Sequence, residues 1–208
     1  MKYLFISVLV LSQVFSCKSE DKSLPPAENF DALHQQFHGK YKIVSSVSSE
    51  PLDVNLDGSS STNLLKEIEV LQTGTLTDPF SQITIHGPSK VDPKPSFTFM
   101  QAWPEQFVRM GGGKVWDGIE MIPFNPAYSF GYDMKVHYRE FRFSEDLKQL
   151  TVLPDNSESP LFLQSVPKSV TVQQDGRLVV VANRRIYTSQ GVKEVTVTTT
   201  YERFTMTT

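Results

Sequence analysis

Apolar residues first recur at helical spacing. Phe30, Leu33 and Phe37 fall on one face of residues 28–37, which predicts one short helix with Asn29 as a cap and Gly39 as a stop. From Gly39 the period changes to two. Tyr41, Ile43, Ser45 and Val47 share one side of the chain and Lys40, Lys42 and Val44 the other, the pattern of an opening strand. A second short helix is predicted over 63–70: Leu64, Leu65, Ile68 and Leu71 form its apolar face, and Ser60, Ser61 and Thr62 are candidate caps. Beyond it, strand-like runs occupy 80–86, 96–103, 106–110, 114–124, 128–143, 147–153, 161–173, 177–187 and 192–204. Turn formers such as Gly87-Pro88, Gly111-Gly112-Gly113, Asn125-Pro126 and Asp175-Gly176 separate them. Many strands and little helix predict an all-β fold, an antiparallel up-and-down barrel with a short helix at its N-terminal end and another after the first strand. The alternation is clearest where Phe130, Tyr132, Met134, Val136 and Tyr138 oppose Gly131, Asp133, Lys135, His137 and Arg139. Phe141 and Phe143 then fall on the other parity, which predicts a bulge near residues 138–140.

The N-terminus stands apart from this pattern. Lys2 precedes an apolar run from Tyr3 to Leu11, too short for the roughly 20 residues that span a bilayer. Val14-Phe15-Ser16-Cys17 then sets a small residue before the one cysteine of the chain. This resembles a bacterial lipobox and implies a signal peptide over residues 1–16 and lipidation of Cys17. An ordinary secretory signal is the alternative, and it leaves an odd thiol. Residues 17–28, with Pro25-Pro26, read as a flexible tether. The charged run from Lys18 to Lys22 resembles a sorting signal for the outer face of the outer membrane. Residues 29–208 then form one domain, large enough for a core of its own. The net charge is −3, one unit more negative once Lys2 is removed, and no basic stripe carries interleaved aromatics, so nucleic acid is not an expected partner.

Gly39-Lys40-Tyr41 at the first strand and Arg203 on the last resemble the lipocalin-like superfamily, where an arginine closes over an aromatic ring of the opening strand. The resemblance is nearest to bacterial lipocalin-like lipoproteins carrying an Asp-x-Asn-x-Asp-Gly segment followed by hydroxyl residues and a Leu pair, here Asp53 to Leu65. It implies a lipocalin-like barrel, closed by Tyr41 and Arg203, and no assigned activity.

The Asp53 segment is also the candidate metal loop. Asp53, Asn55 and Asp57 take the first, third and fifth places of a calcium loop, Gly58 the sixth, and Ser59 and Ser61 supply further oxygens. Leu64 stands where a bidentate glutamate belongs, and Glu67 lies three residues beyond. An Asx-rich turn satisfied by its own backbone is the competing reading. His34 and His38, one helical turn apart, lack further ligands for zinc. Gly111-Gly112-Gly113-Lys114 lacks phosphate-loop spacing and reads as a hairpin turn. No nucleophile elbow or catalytic cysteine is present, so catalysis is not expected.

The aromatic set Phe97, Phe99, Trp103, Trp116, Tyr128, Phe130 and Tyr132 offers a lining for a small hydrophobic ligand, or filling for the barrel. The expectation is therefore a lipid-anchored, non-catalytic envelope lipoprotein of the outer membrane, exposed at the cell surface, that binds a small hydrophobic molecule or an envelope component. The competing expectation is a structural or interaction module with a filled barrel and a calcium-stabilised loop. A hydrolase using dispersed carboxylates is the third.

Overall fold

A computed structural model of the chain describes residues 30–72, 80–91, 93–155 and 157–208. The expected signal peptide, the expected lipidation site Cys17, the expected tether and the expected cap Asn29 lie outside the described residues. Helix α1 (Phe30–Phe37) leads into β1 (Gly39–Leu52), β2 (Ser61–Asn63), α2 (Leu64–Glu67) and a 3-10 turn (Glu69–Leu71). The rest is β3 (Phe80–His86), β4 (Ser96–Gly111), β5 (Lys114–Val115), β6 (Ser129–Phe143), β7 (Gln149–Val152), α3 (Pro160–Leu163), β8 (Ser169–Val172), β9 (Leu178–Thr188) and β10 (Gly191–Thr205).

Strands β1, β3, β4, β6, β7, β8, β9 and β10 pair antiparallel in that order, and β10 returns to β1. The result is a closed, up-and-down, lipocalin-like barrel, with β2 and β5 as short side pairs. Closure falls where Tyr41 stands opposite Arg203 and Lys40 opposite Thr205. Register shifts at Lys40/Tyr41 and Ile43/Ser45 bend β1 there, as a small barrel requires.

The two ends of the barrel differ. At one end Leu33 and Phe37 of α1 plug an apolar interior built from Tyr41, Phe97, Phe99, Phe141, Leu178, Val180 and Tyr201. Edge-on ring pairs such as Phe97–Phe141 (5.7 Å) and Phe141–Phe143 (5.0 Å) fill it. Arg203 donates to the carbonyls of Gln35, Gln36 and His38 and so caps the C-terminal end of α1, while the Tyr41 hydroxyl donates to Phe37 O. Toward the other end, residues 52–71 pack Leu52, Val54, Leu64, Ile68 and Leu71 against Trp103, Ile186, Val195 and Val197. The loop after β5 packs Trp116 and Ile122 on Val108, Tyr187 and Val192.

Several local expectations are corrected. The runs 96–103 and 106–110 are one strand; Pro104 is tolerated because β3 pairing ends at Gln101, so that edge of β4 has no ladder to lose. The run 114–124 is strand only at Lys114–Val115, and 161–173 divides into α3 and β8. The second helix stops at Glu67, because Ile68 adopts extended angles, and its cap is Asn63, whose Oδ1 accepts from Leu65 N. No bulge interrupts β6 against β4: the register runs unbroken from Ser129 to Glu140. The parity change has another cause. The odd positions of β6 turn polar before Phe141: Arg139 is buried, and His137, Lys135 and Asp133 line a cavity, while further back the even Phe130 and Tyr132 pack on other apolar clusters.

Candidate functional site

The cavity follows from strand length. β7 and β8 have four residues each, whereas β6 has 15 and β9 has 11. β7 therefore covers β6 only at 141–143, and β8 covers β9 only at 178–181. Beyond those pairs the facing edges of β6 and β9 have no strand partner among the described residues. The space is roofed by α3 and by the loop after β5, which meet where a Cβ on Gly118 would come within 2.6 Å of Leu161 Cδ1. Behind this roof lies a cavity of about 320 Å³.

Its lining mixes apolar surface with charged side chains of both signs. Glu105, Asp117, Asp133 and Glu194 supply negative charge, and Lys135, Arg184 and Arg185 supply positive charge. Each has a local partner. Arg184, buried over the Trp103 ring at 4.6 Å, pairs with Glu105 and reaches Gln101 Oε1 at 3.5 Å. Arg185 pairs with Glu194 at 3.1 Å and donates to Ile119 O, while Lys135 lies 3.7 Å from Asp133. The Asp117 carboxylate accepts from the backbone N–H groups of Glu120 and Ile119, which hold its pKa below the usual carboxylate value. These carboxylates are committed to cations or amides, and Asp117 is tuned away from the raised pKa that a general acid needs.

His137 is the exception to this local pairing. Its side chain is about nine-tenths buried, and Nε2 has no hydrogen-bond partner. Nδ1 faces Glu158 Oε1 at 3.8 Å. Burial, and then the nearby Arg139 guanidinium, hold its pKa below the usual histidine value, so the ring is neutral at pH 7. At 3.8 Å Nδ1 is not hydrogen-bonded to Glu158, so Nε2 can carry the ring proton or leave it on Nδ1. Arg139 itself is buried and donates to Glu158 Oε2, Phe162 O and Ser165 Oγ, tying the segment that carries α3 to β6.

Of the seven aromatics expected to line a ligand site, Trp116 borders this cavity. Phe97 and Phe99 lie in the apolar end, Trp103 sits beneath Arg184 in the second cluster, with Tyr132 packed against that cluster, and Tyr128 and Phe130 surround Tyr187. Phe107, part of the same aromatic group in the sequence, also lines the cavity, as does Phe162, which the sequence pattern does not single out. Tyr41 and Arg203 do meet at the closure, where the guanidinium interacts with the Tyr41 side chain as well as donating to the carbonyls of Gln35 and Gln36; the cations lying over rings among the described residues are Lys40, Arg109 and Arg184.

The 53–61 loop is a chain of Asx turns. Asp53 Oδ2 accepts from Gly58 N, Asn55 Oδ1 from Asp57 N, Asp57 Oδ1 from Ser59 N, and Ser61 Oγ from Asn63 N. Asn55 Nδ2 also donates to Asp57 Oδ2. Buried Glu67 accepts from Val54 N at 3.0 Å. No three His, Cys, Asp or Glu among the described residues are gathered as a metal site. One observation favours a hard cation: Asp53 is buried and its Oδ1 has no partner. His34 and His38 stack at 3.9 Å, yet His38 Nδ1 accepts from Ile85 N, which leaves its proton on Nε2 and no lone pair for zinc. Gly111 to Gly113 form the tight turn between β4 and β5, all with positive φ.

No protein-family model, curated protein or solved structure matches the chain.

Proposed function

We propose that this protein is a lipid-anchored, non-catalytic envelope lipoprotein of the lipocalin-like kind, whose barrel binds a small molecule through the gap between β6 and β9. Cys17 is its attachment point to the outer membrane, and the polar run after it directs the domain to the cell surface. The observation that carries the binding role is the cavity of about 320 Å³, lined by His137 and by charged side chains of β4, β6 and β9. That volume lies within the range of small-molecule sites. The lining moves the expected ligand away from a purely hydrophobic one. Trp116, Phe107 and Phe162 offer apolar contact, while the charged pairs and His137 ask for hydrogen-bonding groups.

Native mass spectrometry of the full-length lipoprotein tests this reading. The wild type is expected to retain a small molecule beyond its lipid anchor, and His137→Leu to lose it. Equal retention by both proteins, or none by the wild type, counts against the cavity as the site.

A calcium role for the Asp53 loop belongs to the same proposal, supported by the orphaned Asp53 Oδ1. With the other side-chain oxygens engaged in turns and no carboxylate at the twelfth place, the expected dissociation constant is about 10⁻³ M, at the weak end of such loops. Calorimetry should show heat at millimolar calcium that Asp53→Asn abolishes. A flat titration rejects the ion and leaves the Asx turns as the whole role of the loop.

A further inference from the structure

We propose that the cavity takes a free, short, extended oligopeptide, which hydrogen-bonds to the open edge of β9 at Asn183 and Arg185. This inference rests on reading the cavity as a binding site and names the class of its ligand.

The argument starts from the direction of backbone groups. In an antiparallel ladder successive residues turn their N–H and C=O alternately to one neighbour and the other. Tyr187 donates its N–H to Gln106 Oε1 at 2.7 Å and accepts from Gln106 Nε2 at 3.2 Å, so its backbone groups point away from β10. Val181 O accepts from Lys168 N at 2.7 Å and points the same way. The β9–β10 register is continuous from Leu178 to Thr188, so Asn183 and Arg185 share that direction. Two outward-facing residues thus lie between a strand partner at one end and a side-chain amide at the other.

Those residues border the cavity. Asn183, Arg184 and Arg185 are consecutive lining residues, which a strand shows where its edge, rather than one face, meets the space. The Gln106 amide already imitates a peptide unit at Tyr187, and the open length before it fits about three residues at about 3.3 Å each. Across the gap the His137 ring lines the space that the ligand's other edge would face. The roof joining Gly118 to Leu161 limits length and favours a free oligopeptide over a loop of a folded partner. Strand addition at an open edge is a general route to peptide recognition, with main-chain bonds providing the affinity.

Amide hydrogen exchange by NMR on the full chain tests the proposal. In the free protein Asn183 and Arg185 should exchange at least about tenfold faster than Ala182 and Arg184, whose N–H groups face β10. Saturation with acetyl-Ala-Ala-Ala-amide should slow both by about tenfold or more and shift the His137 ring signals. Asn183→Pro removes one edge donor and leaves the backbone ladder to β10 intact, losing only the side-chain bond that Asn183 Oδ1 accepts from Thr196 Oγ1 at 3.2 Å, and should abolish peptide protection at Arg185. Equal protection of residues 182–185 in the free protein overturns the proposal, as does exchange unchanged by the tripeptide. Parallel titrations with maltose and laurate separate the two levels of argument. A His137 response to either, with none to the tripeptide, overturns the peptide and spares the cavity. Silence from all three probes, with no retained molecule in the native mass spectrum, overturns both.

Discussion

Replacing Gly39 by alanine should cost about 2–6 kcal/mol and lower the thermal midpoint by roughly 4–24 °C for a domain of this size. Gly39 has φ +137°, a region that L side chains rarely adopt, and holding alanine there costs roughly 1–3 kcal/mol. Space is the second obstacle. A Cβ would be driven into the carbonyl oxygen of Thr205, with Thr205 C and Met206 Cα at 3.2 and 3.1 Å, and all of these are backbone atoms. Backbone cannot swing aside as a side-chain tip can, so β1 and β10 must part at the seam that closes the barrel, adding roughly 1–3 kcal/mol. Gly87 is the control, because its added Cβ would meet only Phe30 at 3.5 Å, an ordinary contact. Gly87→Ala should therefore stay within about 1 kcal/mol of the wild type. Urea melts of the three proteins give the comparison. If Gly39→Ala matches Gly87→Ala, the two strands do not meet as described.

That seam was legible in the sequence because closure leaves local marks: a glycine where the chain enters the first strand and an arginine near the end of the last. The strands were legible for the same reason, since period two records a surface with unlike faces. Period two does not record which face is inside. On β6 the apolar even positions suggested an interior, yet Val136 and Tyr138 are exposed and the polar odd positions face the cavity. The sequence held a clearer signal in Asn183-Arg184-Arg185, three polar residues in the middle of an otherwise apolar strand. A strand that buries charge in mid-course is lining something or pairing with something, and Arg184 does both. The short β7 and β8 were hidden by Leu161-Phe162-Leu163, which reads as strand by hydrophobicity although Ser159-Pro160 before it carries the mark of a helix start. Without that gap no cavity opens, so the site could not follow from patterning alone.

Arg139→Met should destabilise the domain by about 2–3 kcal/mol and release the roof of the cavity. The Arg139 side chain is 1 % exposed and makes four hydrogen bonds, two to Glu158, one to Phe162 O and one to Ser165 Oγ. Breaking a buried pair by removing one partner costs roughly 3–5 kcal/mol; Glu158 sits in a loop and can turn toward water, which trims that cost. The variant acts on His137 as well. Arg139 lowers the pKa of that ring and Glu158 raises it, so removing the cation moves the pKa upward. In the wild type the folded pKa lies below the unfolded value of about 6.5, so the neutral ring's contribution to stability is intact above pH 6.5 and lost as pH falls through the folded pKa. The variant should lose less on acidification, and an NMR titration of the His137 ring should show the upward shift directly. Amides of α3 should exchange faster in Arg139→Met. Adding Glu158→Leu should restore part of the stability, because the unpaired carboxylate is then gone. A variant whose α3 amides and His137 titration match the wild type shows that the roof is held by something other than this cation.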